Sequence, residues 1–302
     1  MKRRAFIFLA TGATAARPLA VFAQQTGKIF RVGVLNAGVE TPKPLADVSR
    51  DAFEKLGWFE GKNITFERRY AENHPDRLPD LAAELVGLKV DLIMAGGTLA
   101  PLAAKRATTT IPIVMTTAGG PVGSGLVSNL ARPEANVTGL SFMSPDLDRK
   151  RLQLLKEVVP RVARVAVLWD AANPYPARAF KETQRAATAL GTEVHSLEVR
   201  GPGDFAGAFD AMERLQPDAL FAIGDPLISD SRRQIVDFAS TQRLPAMYPL
   251  REYVEAGGLM SYGNSISNMV RVPPDMWTKS SGVPSPRICR SSSRLRSSSL
   301  ST

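Results

Sequence analysis

The sequence predicts an α/β protein of two Rossmann-like lobes with parallel sheets. Three observations predict it. Short apolar strands alternate with amphipathic helices along most of the chain, an order that calls for parallel sheets covered on both faces. About ten strands occur in this series, too many for one small doubly wound sheet. The series also restarts after Val137–Phe142, where Ser144-Pro145-Asp146 opens a fresh run of strand and helix. A (β/α)8 barrel is the rival arrangement. The length of 302 residues itself favours two domains over one.

The elements follow in order. Ile29–Leu35 is a short apolar strand, Ala46–Leu56 has helical spacing and stops at Gly57, and Ile64–Tyr70 is β-branched and aromatic. Arg77–Leu88 carries apolar residues at 78, 81, 82, 85 and 86, one face of a helix. A strand over Asp91–Met94, a helix over Thr98–Ala107 and strands over Ile113–Thr116 and Val137–Phe142 complete the first half. The second half reads as a helix over Leu147–Val159, a strand over Arg164–Trp169, a helix over Ala177–Leu190 and a strand over Thr192–Val199. A helix over Phe205–Leu215, a strand over Ala219–Ile223, a helix over Ser229–Gln242 and strands over Ala246–Tyr248 and Gly258–Tyr262 close the series. The expected organisation is a first lobe over 24–143, a second over 144–247, a crossover back toward the first over 248–272 and a separate tail over 273–302.

Residues 1–23 read as a cleaved signal peptide. Lys2, Arg3 and Arg4 precede the uncharged run Ala5–Ala16, and small residues at Val21 and Ala23 fit cleavage after Ala23. The run is too short to span a bilayer, which takes about 20 residues. Arg3-Arg4-Ala5-Phe6-Ile7 also fits a twin-arginine pattern, so either export route is open. The net charge of +9 is concentrated at the ends: residues 1–23 carry +4, residues 273–302 carry +4, and the body only +1. Such a body lacks the basic footprint of a nucleic-acid binder.

The one cysteine, Cys289, lies in the tail, so an exported body has no disulfide to lean on and no Cys/His metal site. The two histidines, His74 in a polar turn and His195 on the polar face of a strand, read as surface residues. Neither a Gly-x-Ser-x-Gly elbow nor a Ser-x-x-Lys motif is present, and no glycine-rich phosphate loop opens a helix, so neither a cofactor nor a metal is expected.

In open α/β sheets, ligands meet the loops beyond the C-terminal ends of the strands. Those loops offer Asn36, then Gly96-Gly97-Thr98, then Thr116-Thr117, then Asp170 with Asn173-Pro174, then Asp225-Pro226, and finally Tyr262. They are small, hydroxylic, amidic or acidic, suited to a small polar ligand. Gly97 permits close backbone approach, and the free N–H groups opening the next helix attract a carboxylate that the Thr98 hydroxyl can join; equally, Thr98 can be an N-cap. Asn173 and Asp225 can serve helix entry as well as a ligand. Asp170 and Asp225 at facing strand ends can form a carboxyl pair, with a ligand amine as the expected partner.

Ordered stretches along the chain resemble the extracytoplasmic substrate-binding proteins of ABC transporters, in the branch of the tryptophan- and tyrosine-type binding proteins. They include Leu56-Gly57-Trp58 with Glu60-Gly61 and Asn63, the run from Asp76 to Val86, Ala107–Val114, Gly125–Gly139, Arg151–Pro160 and Arg251–Gly263. The resemblance spans residues 1 to about 272. It implies a periplasmic-binding-protein architecture of type I that closes by hinge bending, a small ligand such as an amino acid or related carboxylate, and delivery to a permease in the cytoplasmic membrane. It also implies a monomer with no catalysis. Ligand contacts carried over by position are Asn36, Thr98, Thr117, Asn173, Asp225 and Tyr262, while Trp58 and Trp169 are expected to pack. An exported hydrolase-like enzyme and a sensor lobe serving a receptor are the competing readings.

The tail departs from the resemblance. Pro273–Thr302 holds ten serines and four arginines, too polar a mix to build a core. Read in the neighbouring register, the codons of Asp275-Met276-Trp277 give His or Tyr, then Val, then Asp, close to the Tyr-Val-Asp-Lys helix of the family. A frameshift near Val272 is therefore expected, with loss of the helix that should return to the first lobe.

Overall fold

The computed structural model describes residues 28–40, 50–130, 136–143 and 145–263. The expected signal peptide, the first part of the helix expected over Ala46–Leu56 and the tail after Gly263 lie outside the described residues. Two five-stranded sheets form, ordered β2-β1-β3-β4-β5 and β10-β9-β8-β6-β7, and every described strand pair is parallel. The expected fold class is the observed one.

Lobe 1 contains β1 (Phe30–Asn36), β2 (Ile64–Tyr70), β3 (Leu92–Ala95), β4 (Ile113–Gly119) and β5 (Val137–Met143). Its helices are α1 (50–54), α2 (Leu78–Gly87) and α3 (Leu99–Ala107). Alternate strand residues serve opposite faces. Leu35, Ile93, Ile113 and Met115 pack with Leu81 and Leu85 of α2 and Ala100 and Ala104 of α3. Val32, Leu92 and Val114 pack with Phe53 near the end of α1. Strands apolar on both faces are what a sheet buried on both sides requires.

Lobe 2 contains β6 (Arg164–Asp170), β7 (Glu193–Val199), β8 (Ala219–Ala222), β9 (Ala246–Tyr248) and β10 (Met260–Ser261). Its helices are α4 (Pro145–Val158), α5 (Pro174–Ala189), α6 (Phe205–Leu215), α7 (Pro226–Asp230), α8 (Arg232–Thr241) and α9 (Arg251–Glu255). Val165, Val167 and Phe221 face Leu152, Leu155 and Ala179, while Ala166, Leu168 and Leu220 face Phe205, Met212 and Ile235. Trp169 packs as expected, stacked on Phe180 at 5.1 Å, with its indole N–H donating to Ser196 Oγ at 2.9 Å.

Two expectations change. The helix expected over Ser229–Gln242 is two helices, because α7 starts earlier, at Pro226, and the backbone leaves helical geometry at Ser231 (φ −86°, ψ 5°). The apolar pattern runs through both pieces and does not mark the break. The boundary expected at residue 247 falls inside the second sheet: α9 and β10 stay in lobe 2, with Met260 paired to Met247. The turn that allows this return uses Gly257 (φ +103°) and Gly258, where a Cβ would lie 2.7 Å from the Tyr248 ring.

The chain leaves lobe 1 between β5 and α4. There Arg151 joins distant segments: it pairs with Asp148, donates from Nε to the Tyr262 carbonyl at 2.6 Å and from Nη2 to the Pro249 carbonyl at 3.4 Å. Both members of the pair are buried, and the Tyr175 hydroxyl donates to the other Asp148 oxygen at 3.4 Å. Removing one partner of a buried pair leaves the other charge unpaired. Arg151→Ala is therefore expected to lower unfolding free energy by about 3–5 kcal/mol in urea titrations. Arg185→Ala, at an exposed pair with Glu182, is expected to stay within about 1 kcal/mol of wild type.

Candidate ligand-binding cleft

Parallel strands put every strand-end loop of a lobe on one side, and the two sets face each other. In lobe 2, Asp170 ends β6 and Asp225 follows β8; these strands are neighbours, with Leu168 beside Ala222. Asp170 and Asp225 are each only 4% exposed, and their carboxyl groups are hydrogen-bonded to each other. Burial raises the pKa of both, and the Asp170 charge raises that of Asp225 further. Asp170 is held lower by the Asp225 hydrogen bond, the Ala172 N–H at 2.8 Å and the Arg200 charge. Two adjacent buried carboxylates do not both ionise readily, and the Asp170 charge disfavours ionisation of Asp225.

Asn173 and Asp225 cap helices and also meet each other. Asn173 Oδ1 accepts the Tyr175 N–H at 3.1 Å at the start of α5, and Asp225 Oδ1 accepts the Ile228 N–H at 2.9 Å at the start of α7. The Asn173 amide donates to the remaining Asp225 oxygen at 3.3 Å.

In lobe 1, Asn36 at the end of β1 packs its amide against Gly96. Gly97 (φ +70°) donates its N–H to Thr117 Oγ1 at 2.8 Å. Thr116 and Thr117 lie where β4 shifts register against β5, a bulge that re-aims side chains toward a strand end. Thr98 is the N-cap residue of α3, but its side chain makes no cap bond. The buried hydroxyl exchanges hydrogen bonds with Gly119, accepting its N–H at 3.2 Å and donating to its carbonyl at 3.4 Å. In place of a cap bond, the hydroxyl ties the start of α3 to the end of β4. Tyr262 does not join these loops: its N–H goes to the Tyr248 carbonyl at 3.2 Å, its own carbonyl receives Arg151, and it is 41% exposed.

The lobes touch on both sides of this cleft. Pro226, next to Asp225, sits 3.1 Å from where a Gly97 Cβ would be, and the Tyr175 ring lies 2.5 Å from the corresponding point on Gly119. Only glycine admits these approaches. The acid pair of lobe 2 and the start of α3 in lobe 1 therefore flank one space. Among the described residues no cluster of three metal-ligating side chains occurs, and no helix is long and apolar enough to cross a membrane.

Residues 39–272 match the family described as ABC transporter substrate binding protein. The chain belongs to this family. This substrate-binding protein is 28% identical over 213 residues to a tyrosine-binding protein of Clostridioides difficile, a match covering 70% of the chain and 61% of that relative's length. It resembles a conserved domain protein of Vibrio cholerae with a TM-score of 0.77 and 26% identity, over 86% of the chain and 87% of the other. An ABC domain from Streptococcus pneumoniae solved with L-Trp superposes with a TM-score of 0.74 at 21% identity, over 85% and 86% of the two chains.

Sequence reasoning missed Tyr175, Asn73 and Asp230, which bridge the lobes. Tyr175 follows the Asn173-Pro174 signal and was within reach of a loop reading; Asp230 sits inside what reads as a plain amphipathic helix. The acid pair yields a test. A carboxyl whose folded pKa is raised contributes stability that is full below its unfolded pKa, about 3.9, and is lost as pH rises through the folded value. Asp225→Asn preserves a donor to Asp170 and removes the titration. The ligand-free variant is expected to melt above wild type at pH 8, with the gap closing toward pH 4.

Proposed function

We propose that this protein is the exported, monomeric solute-binding component of an ABC importer. It takes an amino acid into the inter-lobe cleft and presents it to a permease in the cytoplasmic membrane. The observation that carries the reading is the buried acid pair at the strand ends of lobe 2 together with the contact of Pro226 with Gly97, which brings the strand-end loops of the two lobes together. A ligand carboxylate suits helix N-terminal amides. A ligand ammonium suits the acid pair, where it takes the place of the shared proton and lets both carboxyls ionise. Asn173 orients Asp225 for this, and Asn36, Gly97, Thr116 and Thr117 shape the opposite wall. Tyrosine and L-Trp are named for two of the relatives and benzoate and 3,4-dihydroxybenzoic acid for two others, so a small carboxylate fits them all, and the acid pair favours one that carries an ammonium.

Export through residues 1–23, with cleavage after Ala23, fits the extracytoplasmic place of the family. The family match ends at Val272, which supports a shifted reading frame over 273–302. The family match supports binding over an enzymatic reading.

Isothermal titration with L-tryptophan, L-tyrosine and their des-amino analogues tests the ligand class. At least one amino acid is expected to bind, with its des-amino analogue at least about tenfold weaker, or about 1.4 kcal/mol. Equal affinity for amino acid and analogue would remove the ammonium site, and turnover of either would remove the transport reading.

A further inference from the structure

The contact that closes the far side of the cleft is an acid with no hydrogen-bonded partner in its own lobe. Asp230 is the last residue of α7. Its Oδ2 accepts the Val39 N–H at 3.0 Å and the Asn73 side-chain amide at 3.2 Å, both from lobe 1. Among the described residues its carboxylate accepts nothing from lobe 2; the nearby Arg232 charge acts on it, but that guanidinium donates to the Ser229 carbonyl. Burial disfavours its charge, and only the Val39, Asn73 and Arg232 interactions oppose that.

Lobe 1 is shaped to receive it. A Cβ on Gly38 would lie 2.5 Å from Asp230 Oδ2, so only glycine leaves room for the carboxylate. Glu72 and Asn73 take left-handed backbone (φ 55° and 62°), and their N–H groups bond the Gly38 and Ala37 carbonyls at 3.0 and 2.8 Å. Asn73 Oδ1 is buried without a partner. A strained loop and an orphaned oxygen are thus retained to aim one amide across the cleft.

We propose that Asp230 is a closure latch: a positioning residue that touches no ligand but sets the balance between open and closed lobes by docking into the Gly38–Val39–Asn73 receptor. Other lobe contacts among the described residues are Pro226 on Gly97 and, at the β4 loop, Tyr175 on Gly119 and the Arg178 guanidinium over Gly123. Only the Asp230 end carries a charged acceptor matched to two donors. A protein closed in this way samples the closed form before ligand arrives, and ligand stabilises what is already populated. The inference needs no assumption about ligand chemistry, so it stands or falls apart from the amino-acid reading.

The test is a distance distribution in ligand-free protein. Spin labels go on Asp80→Cys and Gln234→Cys, exposed positions on α2 and α8, in a Cys289→Ser background that removes the only native thiol. Ligand-free wild type is expected to show a closed population that Asp230→Ala shifts to longer distance, with the melting temperature of each lobe retained. Gly38→Ala, which changes only the receptor, is expected to give the same shift, and the double variant no further one. Identical distributions for wild type and Asp230→Ala, whether both open or both closed, would overturn the latch. So would additive shifts from the two single variants.

Discussion

All described strands in both sheets run parallel, and the rest of the molecule depends on that constraint. Parallel neighbours need a crossover, and each crossover here returns the chain to the same end of its sheet. Every strand C-terminus therefore opens on one side of its lobe. Asn36, Gly97, Thr117, Asp170 and Asp225 come from five different strand ends yet face a single cleft. Parallel pairing also buries both faces of the strands, which is why β8 is apolar throughout and why lobe 2 holds two core clusters, one on each side.

A cleft built this way can hold charge that solvent would otherwise screen. Asp170 and Asp225 sit at neighbouring strand ends, each only 4% exposed, and burial disfavours charge on both. In the proposed reading a ligand ammonium between them favours ionisation of both. Closure strengthens such contacts because electrostatic interactions grow as water leaves. Arg151 ties the outgoing and returning segments of lobe 2 together beside Asp148 and Tyr175, while Asp230 meets lobe 1 through Val39 and Asn73.

Much of this was legible in the residues. Short continuous apolar runs such as Arg164–Asp170 mark strands, and their alternation with amphipathic helices predicts two covered faces. Asn173-Pro174 and Asp225-Pro226 announced helix starts after strands, and both residues do cap helices. The limits are equally physical. The break at Ser231 was hidden because one apolar stripe serves both α7 and α8. The engagement of Thr98 with Gly119 depends on a bulge in β4 that local composition does not reveal. Asp230, Asn73 and Tyr175 act only between lobes, so no window of neighbouring residues contains the signal. Tyr262 was drawn to the cleft by its place after β10, but Arg151 holds its backbone elsewhere.

The central claim is that a ligand ammonium replaces the proton shared by Asp170 and Asp225. Isothermal titration of an amino-acid ligand near pH 7 in buffers of differing ionisation enthalpy measures that exchange directly. The amine enters already protonated, so release of about one proton per bound ligand must come from the protein. Loss of that buffer dependence in Asp225→Asn would locate the proton. An enthalpy of binding to wild type that is the same in every buffer, or one that reports proton uptake, would contradict the claim.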